Sequence, residues 1–254
     1  MVGVNYVASL SGGKDSLAMV LRLMQEKRPI THVVFFDTGM EYQAVYNNLE
    51  RIKPIVQAYG AEFVWLRPKV NFLMKMLIRP VQSKSGGIHY GYDWCGGACR
   101  WQTSEKISAI KKFIQTIGES VQYVGIAADE PKRIKNEDGK TYPLVEWGMT
   151  EKDCLQYCYF NGWDWKESGI DLYSILDRVS CWCCANKNNK ELQNIYKYLP
   201  DYWEMLKGMQ SRIDRPYKGN HGKSIFDLDR EFAGDHGRAT QVAVTDVDPD
   251  GHKK

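Results

Sequence analysis

The 254-residue sequence contains no run approaching the roughly 20 apolar residues needed to span a membrane. That absence excludes a helical membrane protein. The formal net charge is only +3, too small to argue for nucleic-acid binding on electrostatics alone. Histidines are few, five in all. His32 begins a strand, His89 sits in a glycine-rich stretch, and His221, His236 and His252 fall in a polar end, so each reads as a surface residue. There is no internal repeat and no low-complexity segment. Met1-Val2-Gly3-Val4-Asn5 runs into an apolar strand without a targeting pattern. The expectation is a cytoplasmic protein with no membrane contact. The sequence also lacks a Walker A loop and a Gly-x-Gly-x-x-Gly dinucleotide fingerprint.

What it has instead is Ser9-Leu10-Ser11-Gly12-Gly13-Lys14-Asp15-Ser16. Val4 to Ala8 reads as a buried parallel strand, and Leu17 to Met24 repeats apolar residues at helical spacing. A glycine-rich turn between strand and helix points backbone N–H groups and a helix N-terminus into one small space, which suits a phosphate. Gly12 and Gly13 permit close backbone approach and positive φ. Ser11 and Ser16 offer hydroxyls, and Lys14 offers a mobile charge. Asp15 would repel a phosphate unless a metal ion lies between them.

Later segments continue an alternation of strands and helices. Thr31 to Phe36 reads as a second buried strand ending in Asp37-Thr38-Gly39-Met40-Glu41, followed by a helix from Tyr42 to about Tyr59. Ligands bind at such strand ends in parallel sheets, though Thr38 and Glu41 equally fit helix capping. Gly60 to Leu66 reads as a third strand. Ser83 to Tyr92 reads as a connector or a loop that closes over a ligand. A helix is expected from Thr103 to Ile117, with Lys106, Lys111 and Lys112 on it, then a strand from Val121 to Ile126. Asn136 to Lys140 reads as a surface turn and Tyr142 to Trp147 as an extended piece. Thr150 caps a helix running to about Phe160. Two helices follow, at about 188–198 and 201–213. Residues 214–254 have few large apolar side chains and read as a loose tail after a domain spanning 1–213. The fold class is α/β, a Rossmann-like parallel sheet of about five strands flanked by helices, with a helical C-terminal part.

Seven cysteines cluster rather than spread. Cys95 and Cys99 form one close pair, and Cys181 and Cys184, with Cys183 between them, form another. Two such pairs are what a four-thiolate site needs, for zinc or for a [4Fe–4S] cluster; spacing does not decide between these, and buried free cysteine is the third reading. Cys154 and Cys158 lie four apart on an expected helix among apolar neighbours and read as core packing.

Ser11-Gly12-Gly13-Lys14-Asp15-Ser16 resembles the PP-loop of the ATP pyrophosphatase superfamily. Phe36-Asp37-Thr38-Gly39 is similar to the second nucleotide segment of the phosphoadenosine-phosphosulfate reductase family. Cys99-Arg100 and Cys181-x-x-Cys184 resemble the cluster-binding segments of its iron–sulfur members. Gly125-Ile126-Ala127-Ala128-Asp129-Glu130 with Arg133, and Tyr142-Pro143-Leu144 with Glu146-Trp147, also fit, so the resemblance runs from about Val4 to Ile213. Two departures stand out. The family's cysteine pair is adjacent, whereas Cys95 lies four residues before Cys99. No cysteine follows Cys184, so the nucleophilic thiol of true sulfonucleotide reductases has no counterpart and its covalent intermediate cannot form there.

The resemblance implies an enzyme that binds ATP or a related adenine nucleotide with Mg²⁺, cleaves the α–β bond and adenylates a substrate for sulfur transfer. Relatives that insert sulfur into tRNA or the DNA backbone combine the same loop with a cluster, which implies tRNA or DNA as a substrate and a sulfur-donor protein as a partner. Lys14, Asp15 and Arg100 take catalytic roles in this reading. Ser9, Ser11, Gly12, Gly13, Lys14, Asp15, Ser16, Asp37, Thr38, Gly39, Gly125 and Arg133 contact the nucleotide, and Cys95, Cys99, Cys181 and Cys184 hold the metal group. Two alternatives stay open: a reductase-like enzyme using an external thiol, and a non-catalytic nucleotide-binding subunit with structural zinc.

Overall fold

The computed structural model describes residues 3–83, 85–97, 99, 103–135, 137–219 and 222–234. In chain order the elements are β1 (Asn5–Leu10), α1 (Lys14–Gln25), β2 (His32–Phe36), α2 (Gln43–Ala58), β3 (Glu62–Leu66), a π-turn (Met74–Ile78), β4 (Pro80–Gln82) and β5 (Ile88–Tyr90). Next come α3 (Thr103–Ile117), β6 (Ser120–Val124), β7 (Lys140–Thr141), α4 (Pro143–Glu146), α5 (Glu151–Phe160), β8 (Lys166–Glu167), β9 (Ile170–Asp171), α6 (Leu172–Ile175), α7 (Asn189–Tyr198) and α8 (Pro200–Gln210). They fall into two compact units, Met1–Phe72 with Ala98–Trp182, and Leu73–Gly97 with Cys183–Lys254.

The first unit is built on a five-stranded sheet in the order β3-β2-β1-β6-β7. Every pairing in it is parallel. Val7 and Val34 on one face pack with Ile110 of α3, and Val64, Leu66 and Phe113 close the cluster around them. Val7, Ala8, Val33 and Val34 are fully buried, which is why β1 and β2 read as nearly continuous apolar runs. α1 packs against α5 and β1, and α2 against β3. The chain leaves β1 toward β2 and β3, then returns to β6 and β7 on the other side. The switch point therefore lies between the C-terminal ends of β1 and β6, where ligands bind in sheets of this kind.

Three local outcomes differ from the sequence pattern. Lys140–Thr141 adds a fifth strand against Gln122 and Tyr123, although two polar residues carry no strand signature; of the expected surface turn, Asn136 lies outside the described residues. The piece expected to be extended at 142–147 makes a helical turn instead, because Pro143 at its first position presets a helical φ. Within 83–92, read as a loop, Ile88–Tyr90 is a strand, β5, antiparallel to β4 just before that stretch.

The second unit packs α7, α8 and a helical stretch at 225–234 around Trp203. The Tyr196 ring lies 5.5 Å from Trp203 and 5.7 Å from Phe232, and the Phe232 ring lies 5.6 Å from Trp203. Trp203 Nε1 donates to Asp229 at 2.6 Å. Asn188 and Glu191 form a reciprocal cap at the start of α7. Within the region expected to be loose, Tyr217, Ile225, Leu228 and Phe232 are buried; residues 235–254 lie outside the described ones. Among the described residues no helix is long and apolar enough to cross a membrane.

Candidate functional site

At the switch point of the first unit lies a cleft of about 200 Å³. Ser11, Gly13, Lys14, Asp15 and Ser16 line it from the β1–α1 loop, Gly125, Glu130 and Arg133 from the segment after β6, and Glu151, Tyr173, Arg178, Val179 and Ser180 from the C-terminal side. Its volume is below the roughly 300–1,000 Å³ of pockets that enclose whole small ligands. The enclosed part therefore has the scale of a phosphate chain.

Glycine is required in this loop for steric reasons. Gly12 has φ +79°, and a Cβ there would stand 2.5 Å from Val45 Cγ1. At Gly125 a Cβ would lie 2.9 Å from the Ser16 Cα, so the end of β6 touches the first turn of α1. The loop also braces itself. The Ser11 amide donates to Ser16 Oγ at 3.0 Å, and the two serine hydroxyls pair at 2.9 Å. Trp165, fully buried, donates its indole N–H to the Gly12 carbonyl at 2.8 Å.

Charge in the cleft is balanced. Lys14 is buried, and its ammonium donates to Glu151 at 2.6 Å and to Asp15 at 3.0 Å. Burial opposes the Lys14 charge, but Glu151 and Asp15 outweigh it and hold the pKa above the usual lysine value. Burial pushes the Asp15 carboxyl up, against the pull of Lys14. Burial also acts to raise Glu151, but Lys14 and then Arg178 hold it below its ordinary value. Arg178 reaches Glu130 at 2.8 Å, and Arg133 pairs with the same carboxylate. Three cations thus face three carboxylates, and the shifted titration of Lys14, Asp15 and Glu151 in one cleft is typical of functional sites.

Of the nucleotide-contact residues expected from the sequence, Ser11, Gly13, Lys14, Asp15, Ser16, Gly125 and Arg133 come together here. Ser9 is in β1, where it accepts from Gln122 at 2.8 Å. Asp37 ends β2 and accepts from the Gly39 amide and Tyr46 (2.8 Å each), Trp65 (3.1 Å) and Arg67 (3.3 Å). Burial alone would raise its pKa; Tyr46, the Gly39 amide, Trp65 and Arg67 together lower it. Thr38 donates to Glu41 at 2.8 Å and caps the Met40 amide at 3.1 Å. Gly39 takes φ +75°. None of these last four lines the cleft, and neither does Gly12. Arg100 lies outside the described residues. Sequence reasoning did not single out Glu151, Tyr173 or Arg178; the capping pattern at Thr150 marked a helix start beside Glu151 without indicating its partner.

The cysteines divide between the units. In the first, Cys181 donates to Glu41 at 3.7 Å, and Trp182 N–H bonds to the Met40 carbonyl at 3.0 Å. Cys99 precedes α3, its carbonyl accepting from the Ser104 amide at 3.4 Å. In the second, Asn186 and Gly97 exchange two 2.7 Å hydrogen bonds, which join the loop carrying Cys95 to the loop carrying Cys184. Tyr217 donates to the Cys184 carbonyl at 2.5 Å, and Lys218 to the Ala185 carbonyl at 3.0 Å. None of the seven cysteines, all among the described residues, is joined in a disulfide. Cys95, Cys99, Cys181 and Cys184 are partly exposed, and thiolates are the donors that a [4Fe–4S] cluster takes. Among the described residues no three His, Cys, Asp or Glu side chains gather closely enough to share one metal ion. Cys154 and Cys158 are fully buried, and burial pushes the Cys158 thiol up to about 12, the state of inert core cysteines.

Comparison with known proteins places this geometry in a family. An uncharacterised protein of Methanocaldococcus jannaschii is 25% identical over 219 residues, covering 78% of this chain and 40% of its own length. An uncharacterised nin region protein of Escherichia phage lambda is 27% identical over 206 residues, covering 73% of this chain and 67% of its own. The chain thus spans well under half the length of the first of these relatives. Among solved structures, the U34-tRNA thiolase NcsA of Methanococcus maripaludis, with its [4Fe–4S] cluster, aligns over 92% of this chain and 72% of its own at 13% identity, with a TM-score of 0.45. The family model described as the phosphoadenosine phosphosulfate reductase domain matches residues 5–164, which carry the whole five-stranded sheet and the loop at its switch point, and the chain belongs to that family.

Proposed function

We propose that the protein binds ATP or a related adenine nucleotide in the β1–α1 cleft, cleaves the α–β phosphate bond and adenylates a substrate in preparation for sulfur transfer. The observation that carries this reading is the cleft itself. It brings Ser11, Gly13, Lys14, Asp15 and Ser16 to the N-terminus of a 12-residue helix, and Arg133 and Arg178 face the same space.

Attack of the substrate oxygen on the α-phosphorus breaks its bond to pyrophosphate and puts charge on that departing group, and stabilising that charge is the main task of the site. The loop amides and the α1 N-terminus supply fixed dipoles. Lys14 supplies a full charge, which must exchange part of its ion pair with Glu151 and Asp15 for phosphate oxygens. Arg133 and Arg178 bind equatorial oxygens with planar forks. Arg100 binds a second anionic group. Asp37, Thr38 and Gly39 shape the strand end that meets the nucleoside. Mg²⁺ takes one or two carboxylates and completes its shell with water and phosphate, so Asp15, with Glu151 beside it, fits as its protein ligand; there it would neutralise phosphate charge. Cys95, Cys99, Cys181 and Cys184 are the residues that would hold a [4Fe–4S] cluster, which supplies a site for sulfur chemistry. The acceptor is a nucleic acid, tRNA or DNA, and the sulfur comes from a donor protein.

Anaerobically purified protein incubated with radiolabelled ATP and Mg²⁺ tests the reading. Release of pyrophosphate and AMP, or exchange of labelled pyrophosphate into ATP, is the expected result. Formation of ADP, or no binding of ATP at all, overturns it. Iron and acid-labile sulfide analysis of the same sample separates a cluster from zinc, and zinc in a colourless protein would remove the sulfur chemistry.

A further inference from the structure

Tyr173 stands closer to the phosphate loop than any motif foretells. Its hydroxyl accepts the backbone N–H of Lys14 at 2.8 Å. That amide is one of the unpaired donors at the start of α1, the kind an anion oxygen takes. A Cβ on Gly13 would lie 3.3 Å from the same hydroxyl, so the loop is glycine where the phenol oxygen presses on it. The ring is fixed from behind by Trp165, edge to face at 4.9 Å. Trp165 itself is anchored on the Gly12 carbonyl. The Lys14 ammonium sits 5.7 Å from the Tyr173 ring centroid. Asp171 caps the short turn that carries Tyr173, accepting its N–H at 2.8 Å.

A tyrosine hydroxyl has one proton to give and two lone pairs. Here one lone pair is used by Lys14, and among the described residues no acceptor takes the proton. Tyr173 lines the cleft, where phosphate oxygens would lie. Burial drives its pKa far above the ordinary tyrosine value, so the proton is present at any physiological pH.

We propose that Tyr173 is a phosphate-binding residue: anchored by the Lys14 amide, it donates its hydroxyl proton to an oxygen of the polyphosphate in the cleft. The assignment rests on the nucleotide reading above and extends it to a residue 159 positions away from the loop. Donor and loop then act as one unit. The amide polarises the phenol, and the phenol passes a donor to a place the backbone cannot reach. A hydrogen bond to a charged acceptor of this kind is worth about a 10- to 100-fold change in affinity.

The test is Tyr173→Phe, which keeps the ring and its packing on Trp165 and removes only the oxygen. Binding of ATP and of inorganic pyrophosphate, each with Mg²⁺, is measured by calorimetry on the full chain, with adenosine as the control. The expected result is pyrophosphate affinity lowered about 10- to 100-fold and adenosine affinity unchanged. Tighter pyrophosphate binding by Tyr173→Phe would show that the hydroxyl merely blocks the Lys14 amide, and unchanged binding that it only packs; either overturns the assignment. A thermal melt without ligand checks folding. Should the phenylalanine variant unfold, 4-aminophenylalanine at position 173 restores a donor at the same place: affinity near that of the wild type supports the assignment, and a loss of pyrophosphate binding in that folded variant overturns it. A wild-type protein that binds neither ATP nor pyrophosphate overturns the nucleotide reading itself and this assignment with it.

Discussion

Replacing Gly12 with alanine isolates how the loop is held. The residue has φ +79°, and a non-glycine residue in that left-handed region costs about 1–2 kcal/mol. The new methyl would also stand 2.5 Å from Val45 Cγ1 and 3.7 Å from Leu49 Cγ. Both of those residues are buried, so the clash cannot be turned out to solvent. Overpacking of this kind costs about 1–3 kcal/mol. Gly12→Ala should therefore destabilise the protein by about 2–5 kcal/mol, read as a shift in the urea midpoint by circular dichroism. The two contributions separate in the double variant with Val45→Ala. Removing the valine methyls relieves the clash and leaves the backbone strain, so the pair should be non-additive by about 1–3 kcal/mol in the direction of rescue. Pyrophosphate release should fall in the single variant and partly recover in the double one, because a shift of about 1 Å at a reacting centre costs about 100-fold. A Gly12→Ala cost under about 0.5 kcal/mol, or strict additivity with Val45→Ala, would refute the claim that α2 sets the position of this loop.

Lys14→Met should lower ATP-dependent pyrophosphate release at least about 100-fold while adenosine binding holds; an activity loss under about 5-fold would remove Lys14 from the leaving-group role. Glu151→Gln reads the ion pair with Lys14 through pH. The folded pKa of Glu151 is held below its ordinary value of 4.5, so its stabilising contribution is full above that value and disappears as the pH falls through the lower folded pKa. The melting-temperature gap between wild type and Glu151→Gln should be constant near neutrality and close as the pH drops below 4.5; a gap that persists in acid contradicts the pairing. Cys99→Ala and Cys184→Ala should each lose iron and sulfide together in anaerobic preparations, and full metal content in either variant removes that cysteine from the donor set.

The frame of the fold was legible because its signals are local. Val7, Ala8, Val33 and Val34 are buried on both faces of the sheet, and a strand covered on both sides is spelled in continuous apolar residues. Of the two glycines expected to take positive φ, Gly12 does so at +79° and Gly13 does not, at −83°. Thr150 caps α5 as read, and Asp153 completes the cap by returning a bond to the Thr150 amide. The short edge strand Lys140–Thr141 was not legible, because two residues at a sheet edge are chosen by their partner, Gln122–Tyr123, and not by their own pattern. The packed stretch at 217–232 was hidden for a related reason. Four buried side chains, Tyr217, Ile225, Leu228 and Phe232, are spread thinly among polar residues, and their partners are distant in sequence: Tyr217 packs on Trp94 and Phe232 on Trp203.

The candidate site divides along the same line. The loop residues were found from their motif, and Gly125 and Arg133 through the family resemblance, whereas Glu151, Tyr173 and Arg178 were missed: Glu151 reaches Lys14 across 137 positions, and Tyr173 across 159. No periodicity encodes such pairs. What a sequence does show is a residue type that is out of place, and Asp15 was such a residue, a carboxylate in a phosphate cradle. The structure gives it company. With Glu130 and Glu151 it offsets Lys14, Arg133 and Arg178, so the cleft is pre-paired rather than simply cationic. A polyphosphate entering such a cleft gains less from bare attraction than it would from three free cations, and must displace carboxylates to bind. Discrimination then comes from geometry, since only a ligand that matches the loop amides and the arginine forks together recovers the ion pairs it breaks.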